Sequence, residues 1–292
     1  MTYCTAMRLD AGLVFLSDSR TNAGIDQVST FRKMTVYENP GSRVIVLMSS
    51  GNLSISQAVQ QLLNEQAASQ PHNIWTASSM HEVAALVGSA VRTVFERDAK
   101  MFKEFGIDFN TAMIVGGQIK GEACRLFQIY SAGNFIESLN QSCYFQIGEA
   151  KYGKPIIDRV VNRHTSLDEA AKCALISMDS TLRSNVSVGL PLDLLVYEAD
   201  SLAVTRFVTI DEHNQYFRMI RETWAKKIRE VFQQIDDPIW HGTDSHSVDG
   251  SPSAARSEPI RVVPPSTMPP TDDVQAVTRQ TLAQQSALVD PH

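Results

Sequence analysis

Apolar positions along the first fifty residues come in short runs separated by turn-forming residues. Tyr3–Leu9 and Leu13–Ser17 read as strands joined through Asp10-Ala11-Gly12, whose turn chemistry suits a hairpin. Lys33–Tyr37 and Arg43–Ser49 read as a second pair around Glu38-Asn39-Pro40-Gly41. The period then changes. Ile55, Val59, Leu62 and Leu63 recur at helical spacing, as do Met80, Val83, Val87, Val91, Val94 and Phe95 in a longer run that reaches Glu104. Strands follow at Phe109–Val115 and Cys124–Tyr130, linked through Lys120-Gly121, and at Cys143–Ile147. Helices are predicted at Pro155–Arg163 and Leu167–Arg183, the second with Asp168 and Glu169 in its first turn, where carboxylates suit the helix dipole. Strands Leu192–Glu198 and Ala203–Ile210 precede a last helix with Phe217, Ile220, Trp224, Ile228 and Val231 on one stripe.

The order is strands, helices, strands, helices, strands, helix. Hairpin-linked strands imply antiparallel sheets, and helices arriving in pairs suggest an α+β fold of four layers, an αββα sandwich. The hydrophobic pattern alone leaves a plain two-layer α+β domain open.

Composition divides the chain. Residues 1–241 read as one domain. From Gly242 to His292 there are seven of the 12 prolines, no aromatic residue and no lysine. Such a segment buries too little apolar surface to offset its ordering entropy, so 242–292 reads as a flexible tail. Its weak helical character at Val274–Val289 marks a candidate docking segment for a partner that the sequence does not name. Over all 292 residues, hydrophobic residues are 43% and charged residues 20%, as in soluble globular proteins. The net charge of −6 argues against non-specific binding to nucleic acid or to an anionic membrane. No apolar run nears the roughly 18–20 residues needed to span a bilayer, and no basic segment precedes the short run Ala11–Leu16, so a cytoplasmic location is expected. Cys4, Cys124, Cys143 and Cys173 lack metal-ligand spacing and read as small core residues; the seven histidines are scattered. Neither a metal nor an organic cofactor is expected.

The candidate chemistry begins at Thr2. Methionine aminopeptidase removes Met1 when the second residue is small. The exposed threonine would then carry both a hydroxyl nucleophile and an α-amine, whose unperturbed pKa of roughly 7.7–8.0 suits a general base. Asp18 and Arg20 stand at the end of the second strand and Lys33 at the start of the third. An Asp–Lys pair by itself reads as a structural ion pair. Beside an N-terminal threonine, Lys33 would lower the cost of the alkoxide, with Asp18 holding Lys33 in place.

The set Thr2, Asp18, Arg20, Lys33 and Gly51 resembles that of N-terminal-nucleophile hydrolases of the proteasome β-subunit type. Met1-Thr2-Tyr3-Cys4, Leu16–Gly24, Ser29–Met34 and Arg183–Pro191 are most similar to the bacterial ancestral-β-subunit homologues, Anbu, over about residues 2–240. The resemblance implies the αββα sandwich, no propeptide, and assembly of many identical subunits into a ring or an open helix. It implies that Thr2, Asp18 and Lys33 are catalytic and that the Gly51 N–H, at the opening of the helix after strand Val44–Ser50, receives the oxyanion. It places Thr21, Phe31, Ser49 and Leu53 in the substrate pocket, which suggests a small or uncharged residue on the acyl side. The sequence also departs from the broader proteasome pattern. Ser184 stands where an aspartate is usual, although Ser187 matches the motif serine. Gly148-Glu149 replaces Gly-Ser, so Glu149 is a candidate replacement carboxylate. The implied activity is a threonine peptidase acting on a peptide or protein substrate. The alternatives are an amidase or transacylase of the same fold, and a non-enzymatic assembly scaffold. An unfoldase partner stays open.

Overall fold

A computed structural model describes residues 2–22, 28–139 and 141–238. The expected tail at 242–292, with Val274–Val289, lies outside these residues. Twelve strands and five helices follow one another among them. They are β1 (Tyr3–Leu9), β2 (Gly12–Asp18), β3 (Arg20–Asn22), β4 (Val28–Thr30), β5 (Met34–Asn39), β6 (Arg43–Gly51), α1 (Leu53–Ser69), α2 (Met80–Glu104) and β7 (Thr111–Ile119). After these come β8 (Arg125–Ile129), β9 (Phe135–Glu137), β10 (Tyr144–Gly148), α3 (Ala150–Val160), α4 (Leu167–Ser184), β11 (Leu192–Glu198), β12 (Arg206–Ile210) and α5 (Gln215–Gln233).

Two antiparallel sheets form the middle. One has the order β10-β1-β2-β11-β12 and the other β5-β6-β7-β8-β9; β3 and β4 make a separate ribbon. Both sheets are covered on both faces, which is why β2 is buried at every position instead of alternating. The two side-chain sets of a strand enter different cores. On β6, Ile45 and Leu47 pack with Val59, Leu63, Val83 and Val87 of α1 and α2, while Val44, Val46 and Met48 face the other sheet. On β1 and β2, Met7, Val14 and Leu16 pack beneath α4 with Ala170, Ala174 and Met178; Cys4, Ala6, Leu13 and Phe15 meet the opposing sheet. The layers are therefore helix, sheet, sheet, helix, as the sequence predicts. Each large side chain buried in these cores contributes roughly 1.5–3 kcal/mol.

Four of the five described helices start at a side-chain cap. Asn52, Ser79 and Asn214 accept an N–H bond at the N-termini of α1, α2 and α5, and Ser166 with Glu169 forms a capping box on α4. Some boundaries differ from those expected, and some elements were not expected. Helix α3 begins at Ala150, before Pro155, because packing of Gly153 and Ile157 extends it and the proline is accommodated inside. The last strand begins at Arg206, not Ala203. β3, β4 and β9 have three residues each, too few to show a period. Along the α5 stripe, Phe217 and Ile220 are buried, while Ile228 and Val231 are exposed among the described residues.

Candidate active site between the sheet ends

The β1–β2 hairpin sets Cys4 opposite Ser17, so Asp18 lies beside Tyr3, one residue after Thr2. The Tyr3 N–H donates to Asp18 Oδ1 at 2.9 Å. Lys33 Nζ donates to the same oxygen at 2.7 Å, and the Gly189 N–H reaches Oδ2 at 3.4 Å. Lys33 immediately precedes β5 of the other sheet, and its carbonyl accepts the Ser49 N–H at 3.1 Å. Asp18 and Lys33 are both buried. Burial pushes the Asp18 carboxyl above its ordinary range; the Lys33 ammonium and the two N–H groups pull it back only in part.

Thr2 opens onto a cleft of about 100 Å³ that is also lined by Arg20, Lys33, Ser49, Gly51 and Leu53. Its carbonyl accepts the Glu149 N–H at 2.7 Å. That contact needs the glycine beside it: at Gly148, φ is +81° and a Cβ would lie 1.8 Å from the Thr2 carbonyl oxygen. Gly51 is the last residue of β6 and not the opening of the helix, since Asn52 caps α1. Its φ is +100°, and a Cβ there would meet the Asn110 carbonyl oxygen at 2.4 Å. Asn110 also accepts the Asn52 N–H at 2.8 Å, so the 51–52 corner is braced against β7. A hydroxyl, a buried ammonium and an exposed glycine thus share one small opening.

No protein-family model and no curated protein matches the chain. Solved structures do. Anbu from Yersinia bercovieri is 50% identical, with a TM-score of 0.78 over 82% of this chain and 100% of that one. A helical assembly of the Anbu complex from Pseudomonas aeruginosa is 42% identical, with a TM-score of 0.78 over 82% of this chain and 99% of its own. An Anbu mutant from Hyphomicrobium sp. strain MC1 is 48% identical, with a TM-score of 0.77 over 82% and 100%. This chain belongs to the Anbu family. It is therefore a proteasome-type relative, in agreement with the resemblance carried by its motifs.

In this Anbu chain, Thr2, Lys33 and Gly51 share the cleft with Arg20, Thr21, Phe31, Ser49 and Leu53, and Asp18 binds Lys33 directly beneath it. Arg20 Nη1 donates to the Val186 carbonyl at 3.0 Å, tying the ribbon to the 185–191 loop. Ser184 and Ser187 do not line this cleft. Ser184 ends α4, exposed to solvent, and it is the neighbouring Asn185 that is buried, with its Oδ1 accepting the Ser187 N–H at 2.9 Å. The Glu149 carboxylate turns to Lys151 at 3.8 Å, so it is the backbone of Glu149 that meets Thr2. Ser50 and Ser56 line the cleft without having been anticipated. The signal for Ser56 was present: three residues after Leu53 on α1, it shares that residue's face. Ser19 was also missed; its Oγ donates to the Pro191 carbonyl at 2.6 Å and its carbonyl accepts the Phe31 N–H, so it binds the ribbon to β11. Among the described residues, no three His, Cys, Asp or Glu side chains gather as a metal site. No described helix is long and apolar enough to cross a membrane.

Proposed function

We propose that this protein is a threonine peptidase that uses Thr2, exposed by removal of Met1, as its nucleophile. The observation that carries the reading is the buried Asp18 carboxylate. It binds Lys33 and the Tyr3 N–H on one oxygen, immediately behind Thr2. In the reaction, the Thr2 hydroxyl oxygen attacks the scissile carbonyl carbon. Its proton passes through a water to the Thr2 α-amine. Lys33 stabilises the developing alkoxide, and the Gly51 N–H receives the oxyanion. Collapse breaks the C–N bond, and the leaving amine takes the proton. Water then hydrolyses the acyl ester and restores the threonine. The chemistry calls for no metal or organic cofactor.

The walls of the cleft, Thr21, Phe31, Ser49 and Leu53, suit a small or uncharged side chain on the acyl side. The substrate is a peptide or an unfolded protein, and the site works in the cytoplasm. Helical assembly in the Pseudomonas aeruginosa relative supports assembly of this chain with copies of itself.

The test is the intact mass of the purified full chain, with and without a peptide epoxyketone, whose ring adduct needs a hydroxyl and a free α-amine on one residue. The expected result is loss of Met1 and one stoichiometric adduct, absent in Thr2→Ala. Retained Met1, or no adduct on the assembled protein, overturns the reading.

A further inference from the structure

The peptide that joins Thr2 to Tyr3 is held on both sides. Its carbonyl accepts the Glu149 N–H at 2.7 Å, and its N–H donates to Asp18 Oδ1 at 2.9 Å. A planar peptide includes the Cα of the residue before it. Fixing this one therefore places the Thr2 Cα and leaves a single backbone rotation to direct the hydroxyl and the α-nitrogen.

The group that holds the clamp together is the side chain of Tyr3 itself. It is among the largest fully buried side chains, and packing beneath α4 needs only its ring. Its hydroxyl is bonded twice: to Ser177 Oγ of α4 at 2.5 Å, and to Gln146 of β10, whose Nε2 donates to it at 2.5 Å. Gly153 of α3 lies against the same point. A Cβ there would come within 2.1 Å of Ser177 Oγ and 2.5 Å of the Tyr3 hydroxyl. Glycine is unfavourable inside a helix, and α3 has only 11 residues and also contains Pro155. The close approach of α3 to the hydroxyl is thus reached against helix propensity. Strand β10 and helix α3 are the two arms of the corner at Glu149, and Gln146 and Gly153 bring both arms onto one oxygen. The N–H that meets the Thr2 carbonyl is in this way located by the residue next to Thr2. Burial pushes the Tyr3 hydroxyl above its ordinary range, so it stays neutral and serves as a fixed hydrogen-bonding point rather than as a base.

We propose that Tyr3 is a positioning residue for Thr2: its hydroxyl, by joining α4 to β10 beneath α3, holds the Thr2–Tyr3 peptide between the Asp18 carboxylate and the Glu149 N–H. The clamp is a matter of geometry; its consequence, a faster attack by the Thr2 hydroxyl, rests on the peptidase reading.

The test separates the two. Intact mass of the full chain, followed over time at several concentrations of a peptide epoxyketone, gives the rate constant kinact and the binding constant KI. Tyr3→Phe keeps the ring and removes the hydroxyl. It should lower kinact by about tenfold or more with KI unchanged, because attack is sensitive to small displacements of the nucleophile while the walls of the cleft stay in place. Ser177→Ala leaves the hydroxyl its bond to Gln146 and should lower kinact by less; it decides the matter if Tyr3→Phe does not fold. Hydrogen–deuterium exchange over residues 145–153 follows the clamp without any reaction. Exchange there should quicken in the variants, while residues 44–48 of β6 keep their rate. An unchanged kinact, a rise in KI alone, or exchange at 145–153 that does not outpace that at 44–48 overturns the proposal. A wild-type chain that forms no adduct overturns the peptidase reading instead, and the exchange then decides on the clamp by itself.

Discussion

Replacing Asp18 by asparagine preserves shape and removes one charge. The asparagine can still accept the Tyr3 N–H and Lys33 Nζ on its carbonyl oxygen; only the long 3.4 Å contact with the Gly189 N–H turns donor against donor. What is lost is the counter-charge of an ammonium whose side chain is 6% exposed. Breaking a buried pair on one side costs about 3–5 kcal/mol, and because asparagine keeps the acceptor, a value near the lower limit, about 3 kcal/mol, is expected. Asp18→Ala also strands the Tyr3 N–H and should cost about 1–3 kcal/mol more. Removing both charges, in Asp18→Asn/Lys33→Met, leaves no buried ion, so the double variant should recover most of the loss. Denaturant unfolding at one fixed protein concentration, with the slope checked for constancy, measures the native protein, the singles Asp18→Asn and Lys33→Met, their combination, and Asp18→Ala. Turnover follows a different pattern, because the double variant should be as inactive as either single. The reasoning is refuted if Asp18→Asn costs less than about 1 kcal/mol, or if the double variant is destabilised by the sum of the singles.

Further changes probe single parts of the site. Thr2→Ala should abolish turnover with little change in stability, whereas Thr2→Ser, which keeps hydroxyl and amine, should remain active; a peptidase assay on both settles the nucleophile. Gly51→Ala forces a side chain into a φ of +100° and against the Asn110 carbonyl, so it should cost at least about 1–2 kcal/mol and, if the N–H is displaced, about 10²–10³ in kcat. A wild-type rate with Gly51→Ala would remove this residue from the mechanism. Because burial raises the Asp18 carboxyl, its anion is lost at a higher pH than an ordinary aspartate's as the solution is acidified. The acid limb of kcat/KM should therefore lie above the unperturbed value of about 3.9, and a profile flat down to that value would contradict the assignment.

Much of the fold was legible because its strands lie between clear turns. β1 and β11 are found at Tyr3–Leu9 and Leu192–Glu198, the limits read from the sequence, the first ended by Asp10-Ala11-Gly12 and the second preceded by Pro191. Pro155 misled because proline favours a first helical turn, whereas packing of Gly153 and Ile157 holds α3 together around it. Periodicity reported the α5 stripe faithfully but carries no information on what covers it. The same limit applies to the cleft. Thr2 and Asp18 could be associated through the hairpin alone, and Ser56 through its place one turn after Leu53 on α1, but Ser50 enters the cleft, and Ser19 meets Pro191, only through the packing of separate elements.

That packing bears on why a charged pair is buried at all. Asp18 ends a strand of one sheet, and Lys33 precedes a strand of the other, so their bond forms only as the two sheets close over the core of Cys4, Phe15, Val46 and Met48. Just behind Thr2, the Cys4 thiol also reaches across to the Ser49 carbonyl, at 3.9 Å. Closure itself does not need ions there. Two apolar side chains of similar volume would serve the sandwich equally well or better, since desolvating a carboxylate and an ammonium consumes most of what their attraction returns. An ion pair is therefore an unneeded cost to the fold at this position, and a requirement for any chemistry that must hold an ammonium still beside a hydroxyl. The stability cycle on Asp18 and Lys33 separates these two demands. If the charge-free double variant is as stable as the native protein and yet inactive, the pair is kept for the reaction. If it is both unstable and inactive, the pair serves the fold, and the case for Thr2 rests on the adduct alone.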